Sequence, residues 1–408
     1  MENRNRTYWT IGIAVVLLLC CYCFGMAVLG TVIFRGDTSV EIEDVEPVRV
    51  ITRVVTVIVP ERGTPTPVEG SQRDATPTPE AAGTPSAPSG VTGEIATPDA
   101  EAAALYASEM PAADPRALTL RLKPDVGDIP LVVNATPPSY EVGAKQEFWV
   151  SNVDTQEHRQ IIAELRYVTE HVAMWVQEGV NIDQDDLEAS ADRFEEQTYP
   201  TNREFFGSEW TPGVDNDPRL HILHARDMGE TIAGYYSSSD EYPRAVNEYS
   251  NEREMFYVAA DAGSAQPNTS FYDGLLAHEF QHMIHWANDR NEDSWVNEGM
   301  SELAFILNDF ESGGMDIAYS EKPDTQLTTW GDPSVGNAEH YGASYLFMTY
   351  FLDRFGEDLT KAVVASPKNG IAGFNEALEQ AGRPERFEDI FADWVIANYI
   401  DAPDADAE

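Results

Sequence analysis

Apolar and polar positions change character several times along this chain. From Thr7 to Phe34 no side chain is charged, while from Pro60 to Ala100 almost nothing could build a core. The first stretch exceeds the roughly 20 residues that cross the hydrocarbon of a bilayer and predicts a spanning helix. The second reads TPTP, ATPTPEAAGTPSAPSG and TPDA. Such a composition buries too little apolar surface to fold and predicts an extended, semi-stiff stalk. Between them Val48 to Val59 is β-branched enough for a short strand. Aromatic residues, absent between Phe34 and Tyr106, then return.

Regular periodicity follows. Gln146 to Ser151 (QEFWVS) predicts a strand. Ile161 to Val176 places Leu165, Val168, Val172 and Trp175 at helical spacing, yet its β-branched content keeps a strand open. Arg219 to Ala225 and Glu254 to Ala260 read as strands. Ser270 and Asp273 offer start signals for a helix through His278 and His282, and Ser294 opens another that reaches about Asn308. Further helices are expected from Glu339 to Arg354, stopping at Gly356, and near Ile371–Ala381 and Phe387–Tyr399. Strands followed by helices predict an α+β domain, a mixed sheet with a helical C-terminal half. The expected organisation is a short tail (1–6), an anchor (7–34), a stalk (35–115), a small β-rich segment (116–155) and a large domain (156–402).

Charge changes the picture of the surroundings. Asp plus Glu number 70 against 26 Lys plus Arg in 408 residues, a formal net charge of −44. So acidic a surface repels nucleic acid and anionic headgroups. Arg4 and Arg6 precede the apolar stretch, and Asp37, Glu41, Glu43, Asp44 and Glu46 follow it. The positive side stays in the cytoplasm, which predicts a single-pass membrane protein with everything after Phe34 extracellular. A cleaved signal with Gly30 near the cut, and hence a secreted protein, is the alternative, though its apolar core is normally only about 7–15 residues. Cys20, Cys21 and Cys23 are the only cysteines, and all lie in that stretch. Any metal site downstream must use His and carboxylates.

One such site is written in His278-Glu279-Phe280-Gln281-His282. Histidines four apart stand one above the other on a helix, within reach of one divalent ion, and Glu279 can face water held there. By composition this pattern arises in roughly one random sequence in a hundred, so it does not decide the matter alone. Trp295-Val296-Asn297-Glu298-Gly299-Met300-Ser301-Glu302 follows on the next predicted helix. It can deliver Glu298 as the third ligand of a catalytic zinc site, which needs three protein groups and an open position. Glu302, one turn on, can hold the other ring nitrogen of a ligand histidine, with Asn297 as a second supporting residue.

HEFQHMIHW followed by WVNEGMSE resembles the gluzincin metallopeptidases, whose pattern is H-E-x-x-H and then N-E-x-x-S-D. HEFQHMI and WVNEG most resemble the hyicolysin-like secreted neutral peptidases. The resemblance implies a zincin-like fold, Zn2+ held by His278, His282 and Glu298, and Glu279 as catalytic base. Glu302 stands where the thermolysin-type pattern has Asp. The metzincin pattern fails, because His285 and Asn288 occupy its glycine and last histidine positions. His285 reads as a core-edge or cleft residue.

A peptide substrate also needs an oxyanion donor. His340-Tyr341-Gly342 supplies two types at the start of a late helix, with Tyr341 the first choice, His340 the second and Tyr345 the third. Asp183-Gln184-Asp185-Asp186 and Asp215-Asn216-Asp217 resemble fragments of calcium loops but lack the glycine turn and distal Glu. Solvated loops are the plainer reading, with Ca2+ kept as a second candidate ion. The expectation is a membrane-tethered extracellular zinc endopeptidase acting on proteins or peptides. The alternative is a non-enzymatic cell-surface module that keeps the peptidase fold for binding.

Overall fold

The computed structural model describes residues 113–400 apart from 231, 312 and 331–336. The expected anchor, the stalk as far as residue 112 and the Val48–Val59 strand lie outside the described residues. Among the described residues no helix is long and apolar enough to cross a membrane.

Six strands form one mixed sheet: β1 (Lys145–Ser151), β2 (His158–Val168), β3 (Val172–Gln177), β4 (Leu220–Ala225), β5 (Gly234–Tyr236) and β6 (Met255–Ala259). Their order is β1-β2-β3-β4-β6-β5. The pairs β3–β4 and β4–β6 are parallel, and the other three are antiparallel. Ile161 to Val176 is therefore a hairpin, with Leu165 opposite Trp175 and a register shift between Leu165 and Tyr167. Its central strand is buried on both faces from Val172 to Val176. A strand buried on both sides reads as a continuous apolar run, so its alternation disappears.

The helices that follow gather on one face. They are α4 (Ser270–Asn288), α5 (Ser294–Leu307), α6 (Met315–Glu321), α7 (Ala338–Phe355), α8 (Glu357–Val364), α9 (Gly370–Gln380) and α10 (Phe387–Ile400). Their core takes in Val172, Met174, Leu220 and Ile222 from the sheet. Earlier in the chain, α2 (Gln184–Arg193), a π-helical turn and α3 (Tyr199–Phe206) join the same core through Leu187, Phe194 and Phe206. The opposite face buries Trp175, Leu223, Tyr235 and Tyr257. Residues 116–155, expected to be β-rich, differ. They hold most of α1 (Pro115–Leu122), a 3-10 turn and a stretch without strands, and their one strand, β1, belongs to the main sheet. Pro124, Pro130, Pro137 and Pro138 lack the N–H a ladder needs. From this stretch Tyr140 packs edge-on against Trp175, ring centroids 5.5 Å apart.

α4 is the central helix, buried without interruption from Tyr272 to Trp286. Thr269 caps it, its side chain accepting from the Tyr272 N–H. The approach of α5 depends on Gly274, where a Cβ would stand 2.2 Å from the Phe305 ring. Two helices locked this closely can hold side chains from both at one point.

Candidate metal centre

His278 and His282 project from α4, one turn apart, and Glu298 from α5; all three are buried. The two histidine Nε2 atoms lie 2.9 Å apart, and Glu298 Oε2 is 3.5 Å from the first and 3.4 Å from the second. Tetrahedral zinc with bonds of about 2.0–2.1 Å separates its ligand atoms by about 3.3 Å, and the observed triangle is of that size. Glu302, one turn beyond Glu298, sits 3.3 Å from His278 Nδ1. A carboxylate only accepts, so it holds the proton on Nδ1 and turns the Nε2 lone pair toward Glu298.

The electrostatics favour a cation. Burial pulls the His278 imidazole down, yet Glu298 and Glu302 overcome it and raise the ring to about 10. Burial pushes Glu298 up, but His282 and His278 outweigh it and hold the carboxyl well below the ordinary range. A cavity that draws a proton onto a buried imidazole this strongly is short of positive charge, which a divalent ion supplies.

Glu279 is fully buried beside the triangle. Burial drives its carboxyl well above the ordinary range, His278 lowers it, and Glu298 raises it again. The backbone N–H of Tyr236, at the end of β5, also pulls it down, while neither carboxylate oxygen closes a hydrogen bond. Of the three expected donors, Tyr341 is brought to the site: its buried ring lies nearly parallel to that of His278 at 6.5 Å. His340 is half-buried and faces Trp330, ring centroids 5.7 Å apart.

The expected support from Asn297 is not what the structure places on His282. Asn297 is buried and its side chain closes no hydrogen bond. Ser301, one turn later on the same helix stripe, lies 2.9 Å from His282 Nδ1. The sequence did carry a signal for it, a small polar residue four after Asn297 on a helix otherwise apolar at its end. Tyr236 had none, because β5 is only three residues long. His285 is a fully buried core residue, with Nδ1 3.4 Å from Gln281 Nε2.

Two other groups bring histidine and carboxylates together among the described residues. At Asp215, Asp217 and His221, the Trp175 indole N–H donates to His221 Nδ1 at 2.9 Å. Indole only donates, so neutral His221 carries its proton on Nε2, with no lone pair for a metal. Arg219 also takes both Asp217 oxygens, each at 2.9 Å. In the second group Glu195 accepts from Thr169 Oγ1 and from the His171 backbone while bonding the His171 ring, a closed local knot. As for the other calcium-like fragment, Asp183 caps α2 by accepting from Asp185 N and Asp186 N.

No family model and no curated protein matches the sequence. Solved structures that are similar in part include two of one enzyme. One is a mutant M1 zinc metallopeptidase from Deinococcus radiodurans, with TM-score 0.30, 8% identity, and 64% of this chain and 58% of that one covered. The other is a mutant of that enzyme with a Tyr-Ser-Ala substrate bound, with TM-score 0.32, 11% identity, and 63% and 49% covered. The chain thus spans between about half and three-fifths of the structures it matches. These matches are M1 zinc metallopeptidases, not the hyicolysin-like group. A likeness this loose carries no residue-level correspondence.

Proposed function

We propose that this chain is a zinc-dependent endopeptidase of gluzincin type, held outside the cell by its N-terminal apolar segment. What supports the reading is one observation: two histidines and a glutamate converge on a triangle of zinc dimensions, with an unsatisfied buried carboxylate beside it. His278, His282 and Glu298 hold the ion. Zinc there supplies Lewis acidity, bringing the pKa of a water toward neutrality and polarising the substrate carbonyl.

The remaining work belongs to this chain's side chains. Glu279 takes a proton from the attacking water as the new C–O bond forms. It then passes that proton to the amine as the C–N bond breaks, so peptide and water become acid and amine with no net change on the protein. The raised proton affinity of Glu279 suits a group that must both take and return a proton. Tyr341, beside His278, donates to the developing oxyanion. Substrates are proteins or peptides approaching the acidic surface from outside.

The test is metal analysis combined with cleavage of casein and a peptide library. One zinc per chain is expected. Glu279→Gln should retain the zinc while turnover falls about 10²–10⁴-fold, the usual worth of a positioned acid–base group. A fully metallated wild-type chain inert on every pool overturns the enzyme reading and leaves a binding module.

A further inference from the structure

Ser301 has no part in the reaction above, yet proton counting gives it one. Its Oγ lies 2.9 Å from His282 Nδ1 and 3.0 Å from the Asn297 carbonyl, and it bonds the side-chain carbonyl of Gln281. A serine hydroxyl has one hydrogen to give. Two carbonyl oxygens compete for it, so the contact with His282 runs from the ring N–H to the hydroxyl oxygen. Turning the Gln281 amide over does not change this, because the Asn297 carbonyl then takes the hydrogen. Either way the imidazole proton is fixed on Nδ1, and the Nε2 lone pair is left facing Glu298 and His278.

We infer that Ser301 is the positioning residue for the ligand His282, fixing its tautomer and ring plane as Glu302 does for His278. The inference rests on the zinc reading proposed above. Ser301 is fully buried on α5, the helix that also carries Glu298 and Glu302. One helix therefore supplies a ligand and aligns the other two. The two supports are unequal: His278 leans on a carboxylate, His282 on a neutral hydroxyl. Beyond Ser301 the hydrogen bonds run through Gln281 to His285 Nδ1 at 3.4 Å, which ties the support into the core of α4.

The experiment compares the full-length wild type with Ser301→Ala and Ser301→Thr. Zinc affinity is read by competition with a chromophoric chelator, the d–d bands are read after cobalt substitution, and the metal-free Tm is the control for folding. Ser301→Ala should weaken zinc binding about 10–100-fold, the range for partners of ligand histidines. Its cobalt bands should shift while the metal-free Tm changes little. Ser301→Thr keeps the hydroxyl and should recover most of the affinity. Ser301→Ala binding zinc like wild type overturns the role of Ser301 alone, as does Ser301→Thr performing no better than alanine. A wild-type chain that takes up no zinc overturns the zinc reading itself.

Discussion

The sheet separates two buried groups built from histidines and carboxylates, and only one of them offers lone pairs to a common point. On the helix side stand His278, His282 and Glu298; on the other stand His221, Asp215 and Asp217. In both, the ligand-type atoms lie within 4.8 Å of one another. The difference is at the far nitrogen of each ring. Glu302 lies 3.3 Å behind His278 and Ser301 2.9 Å behind His282, each at Nδ1 and leaving Nε2 for an ion, while Trp175 donates to His221 and leaves its proton on Nε2. Proximity and burial do not define a metal centre. The hydrogen bond behind the imidazole does.

The comparison breaks most visibly by deletion. His282→Ala or Glu298→Ala should take the metal content from one zinc per chain to none, and proteolysis with it. His221→Ala should leave zinc and turnover in place and lower only the Tm. Atomic absorption and casein hydrolysis on the three variants check this, and loss of zinc in His221→Ala would assign the metal to the wrong face.

The two groups also differ in how their carboxylates respond to pH. Burial raises Asp215 to about 7, whereas the imidazoles hold Glu298 low. A folded pKa above the unfolded value means that the native state binds the extra proton in between. Stability contributed by Asp215 therefore falls as pH rises from about 4 to about 7 and stays reduced above that. Asp240 and Glu241, also raised to about 7 by burial, act in the same direction. Asp215→Asn should flatten this dependence, narrowing the Tm difference between pH 5 and pH 8 by on the order of a few °C. Calorimetry on chelator-treated protein reads it, and an unchanged difference would count against a proton held at Asp215.

The smallest effect is the sharpest. Trp175→Phe removes the donor that fixes His221, so its Nε2 lone pair can turn toward Asp215 Oδ2, 3.8 Å away. With only two ligands freed, the expected result is a second, weak cobalt ion at high metal concentration, seen by isothermal titration. Wild type should show no such phase.

Much of this arrangement was legible in the sequence because it is local. The spacing of His278 and His282, and of Glu298 and Glu302, follows from helix geometry once the two helices are recognised. The α4–α5 segment announces itself by long apolar runs and a start signal. Other parts were hidden for physical reasons. β3 lost its alternation because both its faces are buried. α2 (QDDLEASADR) buries only Leu187, Ser190 and Ala191, too few to mark a helix stripe. β5 is too short for any period. Asn297 and Ser301 lie on one stripe of α5, and only the packing of α4 against it decides which of them meets His282.

That packing has a consequence for control of the proposed zinc site from a distance. Three of the atoms that would grip the ion come from two separate rods, and the gap between the rods is set where Phe305 lies flush against Gly274. The gap works as a calliper: a methyl group at 274, or a small apolar molecule wedged at that contact, would spread its jaws without ever approaching the metal. For the proposed zinc hydrolase, an inhibitor of this kind needs no zinc-chelating group, and so need not compete for the feature that all zinc hydrolases share.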